Sequence, residues 1–123
     1  MKDQWHITDD PLLLQAGDID MQVDLGAEEL LAAEKNHQLI AVEVKSFLSP
    51  SPVYDFHLAL GQFLNYRLAL ATQDPQRKLY LAIPIETYTT FFIMSFIQRA
   101  VEYNQLALIV YDSEHQEIVQ WIH

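Results

Sequence analysis

Nine residues, Leu39-Ile40-Ala41-Val42-Glu43-Val44-Lys45-Ser46-Phe47, form an apolar run broken by one acid and one base. β-branched and aromatic side chains favour the extended chain, and along a strand successive side chains point to opposite faces. Glu43 and Lys45 therefore share a face, and Val42 and Val44 take the other. The strand is mostly buried, and charge on it costs several kcal/mol unless it is paired, hydrogen-bonded or bound to a metal. The pair needs a structural partner or a chemical task.

The neighbouring segments place this strand in a sheet. Leu30 to Lys35 and Gln38 to Phe47 bracket a tight polar turn at Asn36-His37, the pattern of a β-hairpin. Residues 5–8 and 12–15 are expected as strand pieces around Asp9-Asp10-Pro11, since proline disfavours helix at the residue before it. Ser49-Pro50-Ser51-Pro52 ends the long strand and opens a helix over about 53–72, apolar nearly all round and so expected to be buried. A strand at 79–85, a helix at 86–104 and strands at 106–111 and 117–122 complete a single domain spanning residues 1–123. The order predicts an α/β fold with a mixed sheet flanked by helices.

Composition limits the function. Seven basic against seventeen acidic residues give a net charge of −10, opposite in sign to the footprint of a free-standing duplex-DNA binder. A nucleic-acid role then needs a bound divalent metal, a local basic patch or a basic partner. With no cysteine there is neither a disulfide framework nor a thiolate site, which suits a reducing cytoplasm. The first residues, Met1-Lys2-Asp3-Gln4-Trp5-His6, do not read as a signal peptide, and no run reaches the roughly 20 apolar residues of a membrane span, so a soluble cytoplasmic protein is expected.

The helix after the long strand carries a second polar group. At 100° per residue, Gln62 lies about 20° to one side of Asp55 and Tyr66 about 20° to the other, with Ala59 between them. Any one of these is ordinarily satisfied by backbone; three on one stripe, just after a Glu-x-Lys strand, suggest a site. Phosphodiester hydrolysis uses a divalent metal to stabilise charge and lower the pKa of water, and Mg²⁺ or Mn²⁺ prefers carboxylate oxygens. Glu43 with an upstream aspartate would suffice as metal ligands, with Lys45 orienting water or stabilising negative charge. Asp24, nineteen residues before Glu43, is the candidate; Asp20, Glu28 and Glu29 compete. A plain hairpin pairs Glu43 near Leu30, so Asp24 needs a bend at Gly26, where glycine permits one.

Asp24, Glu43-Val44-Lys45 and Gln62-Phe63-Leu64-Asn65-Tyr66 resemble the D…ExK…QxxxY pattern of the restriction-endonuclease-like, PD-(D/E)XK superfamily. The wider set, Trp5 to Leu12, Val23 to Glu28, Ala32 to Lys35, Ala41 to Phe47, Ala59 to Tyr66 and Tyr88 to Ile97, resembles the XisH family of fdxN element excision controlling factors over nearly the whole chain. The resemblance implies a restriction-endonuclease-like α/β fold and a part in excising a DNA element. It implies Asp24, Glu43, Lys45, Gln62 and Tyr66 as catalytic residues, Gln62 positioning Lys45 or phosphate and Tyr66 bracing it, with DNA and other excision or recombinase proteins as partners. Relatives carry an extra N-terminal stretch long enough for a helix; without it, apolar surface is left that a second copy would cover, so a homodimer is expected.

Two functions follow. One is a Mg²⁺-dependent nuclease within an excision-control factor. The other is a non-catalytic accessory protein that regulates a site-specific recombinase and keeps Glu43–Lys45 as an internal ion pair. Other sites have less support: His6, His37, His57, His115 and His123 include no pair at i,i+3 or i,i+4, the Asp18-Ile19-Asp20 group lacks the rest of an EF-hand loop, and no phosphate-binding glycine loop or nucleophile elbow occurs.

Overall fold

The computed structural model describes the chain apart from residues 1–4, 17–18 and 22–28, and apart from the side chains of 15–16, 19–21 and 29. Its elements are β1 (His6–Asp9), β2 (Leu14–Ala16), β3 (Ile19–Met21), β4 (Glu29–Lys35), β5 (Gln38–Val44), α1 (Pro52–Gln73), β6 (Lys78–Pro84), α2 (Ile85–Thr90), α3 (Ser95–Tyr103), β7 (Leu108–Asp112) and β8 (Glu117–Ile122). Six strands form one open sheet in the order β1-β4-β5-β6-β7-β8, while β2 and β3 pair separately. The inner pairs β5–β6 and β6–β7 are parallel and the outer ones antiparallel. A parallel pair needs a crossover: α1 carries the chain from β5 to β6, and α2 with α3 from β6 to β7. This is the expected mixed-sheet α/β fold.

The β4–β5 hairpin turns at Asn36 (φ 50°) and His37 (φ 67°). Positive φ at both central residues matches the twist of the flanking strands, and asparagine tolerates it well. The turn sets the register, which places Leu30 opposite Glu43 and Ala32 opposite Ala41.

One sheet face holds Leu30, Ala32, Ala41, Leu81, Ile83, Leu108 and Val110 against Phe56, Ala59, Phe63 and Leu70 of α1. Ala32, Ala41 and Ala59 are all fully buried, and these small side chains let α1 approach the β4–β5 hairpin closely. The other face carries Trp5, Ile40, Val42, Tyr80, Ala82 and Ile109. There Trp121 stacks edge-on to Tyr80 at 5.1 Å and lies 5.5 Å from Trp5. The Tyr80 hydroxyl, whose pKa burial raises, is 2.8 Å from Nδ1 of His123.

Three expectations need correction. The long strand stops at Val44, before Lys45, although the Lys45 amide still donates to the Ala82 carbonyl at 3.0 Å and carries the ladder one residue further. The helix expected at 86–104 is two helices with a break at Phe91 to Met94. Phe91 and Phe92 are both buried; adjacent positions lie 100° apart on a continuous helix, and the break turns both rings inward. Finally, α1 is not buried all round: Tyr54, Leu58, Leu64 and Leu68 are exposed. Its apolar composition reflects two different faces, only one of which meets the sheet.

Candidate functional site

Glu43 and Lys45 point to the α1 side of the sheet and are almost completely buried, at 2% and 5% exposure. Lys45 Nζ lies 3.4 Å from Glu43 Oε2. It also donates to Oε1 of Gln62, which reaches down from α1. The strand period of two aligns the acid and base, and the close approach of α1 brings the amide to the lysine. Tyr66, one turn further along α1, is buried on the same side of the helix.

The segment after Lys45 is held from several directions. Phe47, in the left-handed region at φ 54°, packs its ring against Phe92 at 5.6 Å and Phe91 at 6.4 Å. Ser51 caps α1 by accepting a hydrogen bond from the Tyr54 amide at 3.1 Å, satisfying one of the otherwise open N-terminal donors. Asp55 accepts from the Ser49 amide at 3.2 Å. Its carboxylate thus pins the strand-to-helix loop, while Gln62 on the same helix stripe meets the charged pair.

Tyr111 was not legible as a neighbour of this site. Its hydroxyl donates to the Lys45 carbonyl at 3.4 Å from 66 residues downstream, a contact that exists only because β7 lies beside β6 and β6 beside β5. No local sequence pattern encodes that adjacency.

Asp24, the expected second metal ligand, lies outside the described residues, as does Glu28. Asp20 falls on β3, opposite Gln15 in the small separate sheet. Glu29 falls at the register position opposite Val44, one step away from that of Glu43. Among the described residues no group of three histidine, aspartate or glutamate side chains forms a metal site. The described donors suited to Mg²⁺ or Mn²⁺ are oxygens, the Glu43 carboxylate and the Gln62 amide oxygen, which fit a hard cation in kind. Glu43 with one acid from the 20–29 segment would complete the minimum such an ion requires.

On the opposite sheet face a shallow hollow of about 520 Å³ is lined by Leu31, Val42, Val44, Ala82 and Ile109, with Ser113 and Glu117 among its polar residues. It shares β5 with the charged pair and lies across the sheet from it. The five histidines are all exposed, and among the described residues no helix is long and apolar enough to cross a membrane.

The family model for the XisH protein matches residues 1–119. The crystal structure of a fdxN element excision controlling factor protein from Anabaena variabilis is similar at 49% identity and a TM-score of 0.91, over 99% of this chain and 90% of that one. The crystal structure of an XisH family protein from Nostoc punctiforme PCC 73102 is similar at 46% identity and a TM-score of 0.91, over 99% of this chain and 91% of that one. No curated protein matches. A family model spanning almost every residue, together with nearly half-identical relatives that superpose over the whole sheet and its helices, leads to one conclusion: the chain belongs to the XisH family.

Proposed function

We propose that this protein is a factor controlling excision of a DNA element and that its fold is of the restriction-endonuclease-like, PD-(D/E)XK kind, with a metal-dependent phosphodiester-hydrolysing site built on Glu43, Lys45 and Gln62. The observation that carries the reading is the meeting of those three side chains at the end of β5, the first of three parallel strands. The relative described as an excision controlling factor supports the biological setting.

In this reading Glu43 and Asp24 hold Mg²⁺ or Mn²⁺, which supplies charge neutralisation at the phosphate and a more acidic water. Lys45 presents its ammonium to the developing negative charge. Gln62 fixes the rotamer of Lys45 by accepting one of its protons, and Tyr66 supports the helix turn that presents Gln62. Other excision or recombinase proteins would deliver the complex to its DNA in the cytoplasm and offset the acidic charge.

A second reading has its own support: burial of both charged heads is the state of a structural ion pair in an accessory protein that regulates a recombinase. Incubation of supercoiled DNA with Mn²⁺ or Mg²⁺ separates the two. The catalytic reading expects nicked or linear product, lost on chelation and reduced at least 100-fold in Glu43→Gln and Lys45→Ala, by analogy with the loss of a charge-stabilising group. No product with either metal, from protein shown to be folded, would overturn it in favour of the accessory role.

A further inference from the structure

We propose that the outer face of α1 is a self-association surface on which a second copy of this chain packs antiparallel, with the two-fold axis at Gly61. The inference is independent of the proposed catalytic role. Gly61 sits mid-helix on the exposed side, where an added Cβ would meet nothing within 4 Å. Glycine there weakens the helix relative to alanine, and nothing in the chain's own packing calls for it. A second backbone passing close by would.

The flanking residues make the pairing specific. In an antiparallel two-fold crossing at Gly61, a residue n positions before it faces the residue n positions after it in the partner. Leu58 then meets Leu64, three positions to either side; His57 meets Asn65, four to either side; and Tyr54 meets Leu68, seven to either side. In these three pairs apolar falls on apolar and polar on polar. Tyr54, Leu58, Leu64 and Leu68 are 63%, 40%, 36% and 70% exposed, so each has surface left to bury.

Charge favours the same partner. Between Asp55 and Arg67, α1 carries no acid, lysine or arginine in a chain of net charge −10. Asp55 is engaged by Ser49, and the Arg67 guanidinium donates to the Gln105 carbonyl at 3.1 Å. Along α1 two copies can join without setting acid against acid, and where the adjoining α3 groove adds Glu102 it adds Arg99 as well. Area is also sufficient. Phe96 and Tyr103 of α3, 70% and 88% exposed, flank the groove beside Leu60 of α1. At ~200 Å² per aromatic side chain, these two and Tyr54 leave roughly 400 Å² uncovered before the leucines are counted, half of the ~800 Å² per partner of a standard interface.

The test is analytical ultracentrifugation at micromolar concentration on the full chain. Wild type should sediment as a dimer, Leu58→Lys and Leu64→Glu as monomers, with dissociation constants raised about tenfold or more. The double variant should dimerise again, because the antiparallel register brings each new lysine onto a new glutamate of the partner. A monomeric wild type, single variants that remain dimeric, or a double variant that is folded by circular dichroism yet monomeric would each overturn the proposal. Gly61→Cys tests the axis in a chain that otherwise has no cysteine: mild oxidation should give a covalent dimer, whereas Gln76→Cys, exposed beyond the end of the helix, should not. Equal crosslinking of the two would also overturn it.

Discussion

The buried pair Glu43–Lys45 makes opposite demands on stability and chemistry. Removing one partner of a buried ion pair leaves an uncompensated charge and costs ~3–5 kcal/mol, whereas replacing both by apolar residues of similar volume is often neutral or stabilising by ~1–4 kcal/mol. Glu43→Leu alone should therefore lower the unfolding free energy by about 3–5 kcal/mol, and adding Lys45→Met should recover most of it. Urea denaturation of the two variants checks this; a single variant as stable as wild type would show that Lys45 is satisfied without Glu43. A second ionic contact lies in the turn before β8. Asp112 accepts from the amides of Glu114 and His115, and its Oδ2 lies 2.8 Å from His115 Nδ1. The hydrogen bond and charge of Asp112 raise the His115 pKa, and the His115 contact lowers that of Asp112. The histidine contribution is present below its ordinary value near 6.5 and lost as pH rises through the raised value; the aspartate contribution is present above its ordinary value near 3.9 and lost as pH falls through the lowered one. The turn is thus held best in weak acid. Asp112→Asn should return the His115 titration toward ordinary histidine, read from its ring-proton shifts, and an unmoved titration would refute the pairing.

At the scale of elements, α1 shows how far a local pattern reaches. Its start was legible because Ser51 before Pro52 is a capping arrangement, and Ser51→Ala should cost about 1 kcal/mol in thermal or chemical unfolding. That Gln62 and Tyr66 share one stripe was legible because the 100° rotation fixes relative angles along one helix; that the stripe faces the sheet was not. What the pattern did not reveal was which apolar side chains the fold would use: Phe56, Phe63 and Leu70 reach the core, while Tyr54, Leu58, Leu64 and Leu68 remain outside. A helix rich in leucine on two sides reads as buried whether its second face meets its own sheet or another molecule. The break between α2 and α3 was hidden for a related reason: two adjacent phenylalanines fit a helical pattern, and only the shape of the core required both rings to turn inward.

Across the whole molecule, the acidic net charge and the mixed sheet pull in different directions. A chain of −10 repels nucleic acid at long range, so any contact with DNA must be made locally, by a bound cation or through a partner. The sheet order brings the Lys45 carbonyl within reach of Tyr111 and places the charged pair at the end of β5, one strand from the centre of three parallel strands. The amino-acid sequence by itself determined the hairpin and its turn, the period-two alignment of Glu43 with Lys45, the helical angle of Gln62 and membership of the family, because each depends on spacing along one element or on residues matched in order. Only the tertiary structure decided that Gln62 meets Lys45, that Asp55 pins a loop, that Tyr111 closes on the backbone just past β5 and that one face of α1 stays open. Those outcomes depend on how elements far apart in the chain pack together, and packing is set by the volumes of the whole core.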